Sequence, residues 1–121
     1  MRSVTSPGVD VVAAQNFSFF VFKTRADLRH YFSCVRQSLN AQGVFLLDMV
    51  GGPLMMEDGR VEKRRVRGGL TYFWDQERFD PLSHHTTFHI HFGFKDGSRM
   101  DRAFTYDWRL WTMPEVRELL Q

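Results

Sequence analysis

Two apolar runs, separated by an amphipathic segment, dominate the first fifty residues. Residues 9–14 and 44–47 are nearly continuous in apolar side chains, which is typical of parallel strands that are covered on both faces. Parallel neighbours need a crossover connection, usually a helix. We therefore predict that residues 1–49 form one βαβ unit.

The segment between the two runs has a helical pattern from about residue 24 to residue 40. Thr24 is a suitable N-cap, and Asp27 lies three residues later, where a capping box places its acidic partner. The apolar positions that share one helical face are Leu28, Tyr31, Phe32, Val35 and Leu39. We expect this face to pack on the sheet, and residues 40–43 to close the helix and turn into the second strand.

Polar residues follow each of the two predicted strands. Residues 15–18 follow the first strand, and Asp48 ends the second. A βαβ unit places the carboxyl ends of its strands on one edge of the sheet, and open α/β sheets bind ligands outside that edge. We therefore expect a small molecule to bind near these residues.

Residues 50–69 break this pattern. Val50 to Pro53 contain two glycines and a proline, and residues 57–69 are mostly charged. One interpretation is a basic patch for phosphate or nucleic acid. The basic residues are interleaved with acids and lack an aromatic platform, however. We therefore favour a solvated, mobile connection.

Residues 70–111 have the pattern of an antiparallel sheet. The pattern predicts a strand over 70–79, a turn over 80–83, alternating apolar positions over 88–94, and a return strand over 98–111. Lys95-Asp96-Gly97 is a hairpin signal. With Gly97 left-handed, we expect Phe92 to face Met100 and Phe88 to face Phe104, so that the aromatic residues share one side.

The last residues, 112–121, begin a helix. Thr112 is followed by Glu115 three residues later, with Pro114 in the first turn. The segments together predict one partial domain over residues 1–121: a βαβ core (1–49), a loop (50–69), antiparallel strands (70–111) and a helix (112–121).

Composition narrows the function classes. A chain of 121 residues is one domain at most, and its net charge of +2 gives no case for nucleic acid or an anionic membrane as partner. No stretch reaches the roughly 20 apolar residues that span a bilayer. The single Cys34 excludes an intrachain disulfide and fits a reducing compartment, so we expect a cytoplasmic protein.

The histidines of the predicted hairpin and the single cysteine are two further candidate sites, for metal binding and for nucleophilic catalysis, and neither is favoured. His89 and His91 share one strand face, an arrangement that can hold a metal, but no carboxylate follows them at the expected spacing. We expect cross-strand partners such as Asp101 or Arg102 for these histidines, and no metal. Cys34 lies mid-helix beside the apolar face, with no feature that would lower its pKa, so nucleophilic catalysis is not favoured.

Taken in chain order, residues 9–20, 31–39 and 43–48 resemble the fourth strand, the following helix and the fifth strand of class I S-adenosylmethionine-dependent methyltransferases. Residues 96–99 and 103–112 resemble the inserted β-layer and the next helix start in small-molecule methyltransferases. The resemblance implies an α/β fold: a partial Rossmann-like methyltransferase sheet with one βαβ unit, an inserted antiparallel β-layer and a C-terminal helix start.

The same resemblance implies a methyl transfer from S-adenosylmethionine to a small-molecule acceptor, and it identifies no catalytic residue. The implied cofactor-binding residues are Gln15, Asn16 and Phe17. The implied substrate-binding residues are Ser18, Asp48, Trp74, Tyr106 and Arg109.

The resemblance also has gaps. The glycine-rich cofactor loop of this family is absent, because the pairs Gly51-Gly52 and Gly68-Gly69 lie elsewhere in the pattern. We therefore expect this chain alone to be an incomplete enzyme that binds S-adenosylmethionine weakly or not at all. We also expect the strand over 9–14 to expose an apolar edge that favours a homodimer or another association.

An alternative function belongs to a different class. In it the chain is a non-enzymatic binding module that uses its aromatic hairpin face, with a metal at His89 and His91 as one variant. It predicts a ligand unrelated to methyl transfer.

Overall fold

The computed structural model describes residues 7–121, so residues 1–6 of the predicted βαβ segment lie outside it. The chain divides into two compact units. An α/β unit contains the residues up to Val50 together with 111–121, and a β unit contains residues 51–110.

The α/β unit is built on the predicted βαβ arrangement. Its first strand, β1 (Val9–Ala14), pairs in parallel with β2 (Leu39–Leu47), and helix α1 (Arg25–Ser38) connects them. A short 3₁₀ helix (Ser18–Val21) lies between β1 and α1. The parallel pairing confirms the prediction made from the two apolar runs.

Helix α1 begins and packs as predicted. The Thr24 hydroxyl accepts the Asp27 backbone N–H at 3.1 Å. On the apolar face, Leu28, Phe32 and Val35 are buried, and the Phe32 ring lies 5.8 Å from that of Phe45 in β2. Packing of this face against β2 therefore stabilises the helix more than helix propensity alone does.

The start of β2 differs from the prediction. The helix ends at Ser38, and β2 begins at once at Leu39 instead of at residue 44. The pairing then jumps: Val9 faces Leu39, but Val11 faces Val44. Residues 40–43, predicted as a separate turn, thus lie opposite the single residue Asp10 and form an irregularity within the strand.

One face of the β1–β2 sheet is exposed. Val11 and Leu46 each retain 57% of their accessible surface, so the prediction of strands covered on both faces is wrong for this face of the described chain. Among residues 7–121, no further strand pairs with β1 or β2. This leaves the apolar edge that the sequence predicted.

The β unit is a four-stranded antiparallel meander. Its strands are β3 (Arg60–Val66), β4 (Leu70–Phe79), β5 (His85–Gly93) and β6 (Arg99–Arg109), and they are adjacent in chain order. The strand over 70–79 and its two successors confirm the predicted antiparallel character.

Strand β3 was not predicted. It lies within residues 50–69, which were expected to be a loop, and Val66 pairs with Leu70 across a tight hairpin. Gly68 and Gly69 supply the turn, with φ of 85° and 77°, values that are unstrained for glycine. The charges that suggested solvated coil belong to an edge strand, where charged side chains discourage pairing with other chains.

The β5–β6 hairpin confirms part of the predicted register. Gly97 is left-handed, with φ 88°, and Phe92 faces Met100. Phe88, however, faces Tyr106 instead of Phe104. The pairing shifts because three residues of β6 lie opposite His91. Since the surplus is two residues, the alternation of faces is kept and the aromatic residues still share one side.

Helix α2 (Met113–Leu120) completes the α/β unit and begins as predicted. Thr112 and Glu115 form a capping box in which the Glu115 carboxylate accepts the Thr112 N–H at 2.9 Å. Val116 and Leu119 are buried. The same unit places Glu115 3.1 Å from the Arg25 guanidinium of α1.

Candidate functional site

The carboxyl-terminal edge of the β1–β2 sheet is shaped by an unusual turn. After β1, Asn16 and Phe17 both adopt the left-handed conformation, with φ of 57° and 53°. Such angles are uncommon for residues other than glycine. The Asp48 carboxylate, at the end of β2, accepts the N–H of Asn16 at 3.0 Å and that of Phe17 at 2.8 Å.

Asp48 therefore holds this turn. Two bonds from backbone N–H groups to an ionised carboxylate are stronger than bonds between neutral groups, and they offset the conformational cost. The Asp48 N–H donates to the Ala14 carbonyl at 3.3 Å, which ties the same residue to β1. Each carboxylate oxygen has a second lone pair, so a ligand at this edge still finds an acceptor.

A cleft of about 300 Å³ opens at this edge. Its lining residues are Ala13, Ala14, Gln15, Asn16, Leu46, Leu47 and Asp48. Three of the predicted site residues, Gln15, Asn16 and Asp48, are thus brought together. Phe17 packs near Phe20, with ring centroids 6.0 Å apart, and Ser18 begins the 3₁₀ helix; neither belongs to the cleft lining.

The remaining predicted site residues lie in the β unit. Trp74 and Tyr106 both contact the Trp108 ring, at 6.3 and 4.8 Å between centroids, so they share the aromatic side of the sheet. Arg109 immediately follows Trp108 in β6, and strand alternation turns it to the other side. The structure thus brings together two of these three residues.

A buried glutamine supports the aromatic side, and sequence reasoning did not identify it. Gln76 retains 1% of its accessible surface. Its Oε1 accepts the Trp74 indole N–H at 3.3 Å, and its Nε2 donates to the carbonyls of Leu54 and Glu57 at 2.9 and 3.1 Å. The sequence contained no signal for it, because these carbonyls come from a segment whose path the pattern did not predict.

His89 and His91 lie on the opposite side of the sheet and bond to neighbouring strands. His89 Nε2 lies 2.6 Å from Glu77, and His91 Nε2 lies 2.8 Å from Asp75. The Arg102 N–H donates to His91 Nδ1 at 2.8 Å, so the predicted Arg102 partner is found through its backbone. Within residues 7–121, no group of three or more His, Cys, Asp or Glu side chains is placed to hold a metal.

Tyr72, in strand β4 of the β unit, has a hydroxyl group with a shifted pKa. Burial raises its pKa above the ordinary value of 10.0; the nearby Tyr106 adds to the shift, and the Arg64 guanidinium opposes it. The Tyr72 hydroxyl is therefore neutral at physiological pH and available as a hydrogen-bond donor and acceptor.

Neither a protein-family model nor a curated protein matches this sequence. Solved structures do match. The CcbJ methyltransferase from Streptomyces caelestis is 15% identical, with a TM-score of 0.80, over 99% of this chain and 47% of its own. An S-adenosylmethionine-dependent methyltransferase from Clostridium acetobutylicum is 19% identical, with a TM-score of 0.74, over 94% of this chain and 46% of its own.

A third structure is that of CalS10, an amino pentose methyltransferase from Micromonospora echinaspora with S-adenosylmethionine bound. It is 18% identical, with a TM-score of 0.72, over 93% of this chain and 48% of its own. The chain has a partial class I methyltransferase fold. It spans about half the length of these structures.

The methyltransferase fold confirms the predicted fold class. The parallel β1–β2 pair with its crossover helix is the partial Rossmann-like sheet, and the meander β3–β6 is the antiparallel layer. In the part of the chain that the structure describes, no helix is long and apolar enough to cross a membrane.

Proposed function

We propose that this chain is part of a methyltransferase that transfers a methyl group from S-adenosylmethionine to a small-molecule acceptor. The observation that carries the proposal is the likeness in fold, which covers between 93% and 99% of this chain in the three methyltransferases described above. The proposal assigns the cofactor to the α/β unit, and the acceptor to residues of the β unit together with Ser18 and Asp48.

Gln15, Asn16 and Phe17 would bind the cofactor at the edge of the β1–β2 sheet. The cleft of about 300 Å³ is at the lower end of the roughly 300–1,000 Å³ that ligand pockets occupy. It therefore holds part of the cofactor, which agrees with the expectation that this chain alone binds it weakly or not at all. When bound, the cofactor supplies a methyl group on a sulfonium.

The residues proposed for the acceptor contribute contacts of different kinds. Trp74 and Tyr106 present aromatic surface, Arg109 contributes a guanidinium, and Ser18 and Asp48 contribute oxygens beside the cofactor residues. None of them is proposed as a catalytic acid or base. Catalysis rests on holding donor and acceptor in line, an effect worth up to about 7–11 kcal/mol.

We further propose that the reaction takes place in the cytoplasm, with neither nucleic acid nor membrane as a partner. The lone Cys34 fits that compartment. The exposed face of the β1–β2 sheet supports association with a second copy or with another polypeptide that completes the enzyme.

Calorimetric titration with S-adenosylhomocysteine, the reaction product, tests the proposal. We expect weak one-site binding that Asp48→Ala abolishes, because the Asn16–Phe17 turn loses its acceptor. Asp10→Asn is the control, since Asp10 lies in β1 and accepts only the Asn40 side chain among the bonds given by the structure. No heat from a chain that circular dichroism shows to be folded would overturn cofactor binding by this chain.

A further inference from the structure

The charged segment over 60–67 forms the outer strand of the β unit. It contains five basic residues and one acidic residue, and every position of β3 after Arg60 is exposed. Within the part of the chain that the structure describes, β3 pairs with β4 alone. Its outer side therefore presents backbone N–H and C=O groups that none of the described strands uses, at the spacing that a further strand would need.

The acidic residue of this segment is already neutralised. Glu62 forms an ion pair with Arg60, whose guanidinium also donates to Oε1 of the buried Gln76 at 3.2 Å. Among residues 7–121, no carboxylate forms an ion pair with the other basic side chains of the segment, which are Lys63, Arg64, Arg65 and Arg67. The exposed edge thus carries four positive charges without a counter-charge.

Three of these charges lie at consecutive positions on both sides of the sheet. Successive residues of a strand point to opposite sides, and Arg64 shares its side with Tyr72, which it faces across the strands. Lys63 and Arg65 belong to the other side, where the Lys63 ammonium lies 5.8 Å from the centre of the Phe73 ring. A strand beside β3 therefore meets a positive charge at three successive positions.

Exposed apolar residues flank these three charges. Val61 retains 54% of its accessible surface and Val66 retains 45%. A strand that covers both valines removes apolar surface from water, which is favourable. The sequence that matches this edge therefore has an acidic run of three residues with an apolar residue toward each end.

Two other occupants fit this edge less well. A second copy of β3 would place basic side chains opposite basic side chains, which is unfavourable across paired strands, so the charges select against self-pairing. A polyphosphate chain would use the charges, but it would gain nothing from the backbone groups of the edge or from the two exposed valines. An acidic polypeptide strand uses all three features.

We propose that β3 binds an acidic extended segment of another polypeptide, which adds to the sheet as a further strand. Backbone hydrogen bonds supply affinity in this mode of recognition, and side-chain contacts supply specificity. Here the specificity comes from carboxylates beside Lys63, Arg64 and Arg65. Because β3 is already ordered by its pairing with β4, the cost of ordering falls on the incoming segment alone. The inference is independent of the function proposed above, since every residue involved belongs to the β unit.

The test is a titration of the ¹⁵N-labelled full chain with the capped peptide acetyl-Val-Glu-Glu-Glu-Thr-Val-Thr-amide, whose order matches β3 in antiparallel pairing. We expect saturable amide shifts confined to 60–66 and the facing residues 70–76. Alternate amides of β3, those that point away from β4, should also exchange their hydrogens more slowly.

Charge reversal tests the proposed side-chain contacts. Arg65→Glu should weaken binding about tenfold or more, equivalent to roughly 1.4 kcal/mol. Replacing the first glutamate of the peptide, which lies opposite this position, with lysine should restore binding to the variant. Arg29→Glu makes the same charge change at an exposed position of α1 and is the control. An equal loss in the two variants would overturn the assignment to β3.

Modified ligands separate strand addition from simple charge attraction. Two peptides of the same sequence are N-methylated at alternate residues, in opposite phases. Only alternate amides of an added strand face β3, so one phase should abolish binding and the other should retain it. Equal binding of both would overturn strand addition. Tighter binding of an oligothymidylate at 60–66 would assign the edge to a polyanion instead, and the absence of shifts with the parent peptide would overturn the proposal.

Discussion

The backbone N–H of Arg102 donates to Nδ1 of His91 at 2.8 Å, across the irregularity between β5 and β6. Arg102 is left-handed, with φ 50°, and this conformation turns its N–H toward the imidazole. Because Nδ1 accepts this bond, the ring hydrogen of neutral His91 is on Nε2, which donates to the Asp75 carboxylate at 2.8 Å. One histidine thus joins three strands.

Replacing His91 with phenylalanine should destabilise the chain. His91 is buried, with 8% of its surface exposed, and phenylalanine keeps the ring but removes both nitrogens. The Arg102 N–H and the Asp75 carboxylate then lose a partner, which costs about 1–3 kcal/mol in the free energy of unfolding. Urea denaturation, monitored by tryptophan fluorescence, measures the loss.

His85→Phe is the matched control, since His85 begins the same strand but is exposed. We expect it to change the free energy of unfolding by less than about 0.5 kcal/mol. Equal losses in the two variants would show that the His91 bonds contribute nothing beyond those of an ordinary surface position.

Asp48→Asn should loosen the turn at the strand ends. The amide keeps one acceptor oxygen but presents an NH₂ group to the other backbone N–H, so one of the two bonds to Asn16 and Phe17 is lost. We expect a loss of about 1–3 kcal/mol. Adding Asn16→Gly should recover part of it, because glycine adopts a positive φ without strain. A double-mutant cycle by urea denaturation measures this coupling, and strictly additive effects would contradict it.

Elements with local signals were predictable from the sequence. Thr24 and Thr112 are N-caps whose partners, Asp27 and Glu115, lie three residues later, so both helix starts could be predicted. The apolar face of α1 follows from the spacing of its apolar residues. The register of β6 was not predictable. The bulge contains a hydrogen bond between Arg102 and His91, which are 11 residues apart, and no local sequence pattern indicates such a bond. A shift of two residues also leaves the hydrophobic alternation unchanged, so the pattern could not reveal it.

In the candidate sites, too, features with a local sequence signal were predictable and features that depend on contacts between distant residues were not. The topology of a βαβ unit was enough to predict that residues 15–18 and Asp48 lie at one edge. That Asp48 accepts the N–H groups of Asn16 and Phe17 was not predictable, because it depends on the left-handed turn at these two residues. Strand β3 was missed because its charges outweighed the Gly-Gly hairpin signal that follows it.

Thr112→Ala should cost about 0.5–2 kcal/mol of stability. The Thr112 hydroxyl caps α2 and bonds the Glu115 carboxylate at 3.1 Å, and alanine removes both interactions. Thr112→Ser keeps the hydroxyl and should restore most of the loss. Thermal unfolding of the three proteins measures the difference; a serine variant as unstable as the alanine variant would show that the cap hydroxyl is not the cause.

Acid should weaken the turn at Asp80. The Ser83 hydroxyl, which donates at 2.7 Å, and then the Leu82 N–H hold the pKa of Asp80 below its ordinary value of 3.8. Because the folded-state pKa is the lower one, the contribution of Asp80 to stability is present above pH 3.8 and is lost as the pH falls through the folded-state pKa. ¹³C carboxyl titration should show Ser83→Ala moving this pKa toward its ordinary value. An unchanged titration would exclude the hydroxyl as the main cause.

The exposed face of the β1–β2 sheet should govern self-association. Val11 and Leu46 each expose 57% of their surface on a strand pair that has no further strand beside it among residues 7–121, and apolar edges of this kind pair with other chains. The double variant Val11→Thr and Leu46→Thr places β-branched threonine, which suits strands, at both positions and lowers the apolar surface. Sedimentation should show that it is more monomeric than the parent at equal concentration. Leu82→Thr is the control, because Leu82 is 95% exposed in a turn of the β unit, and an equal effect there would assign the association to general hydrophobicity instead of to this sheet.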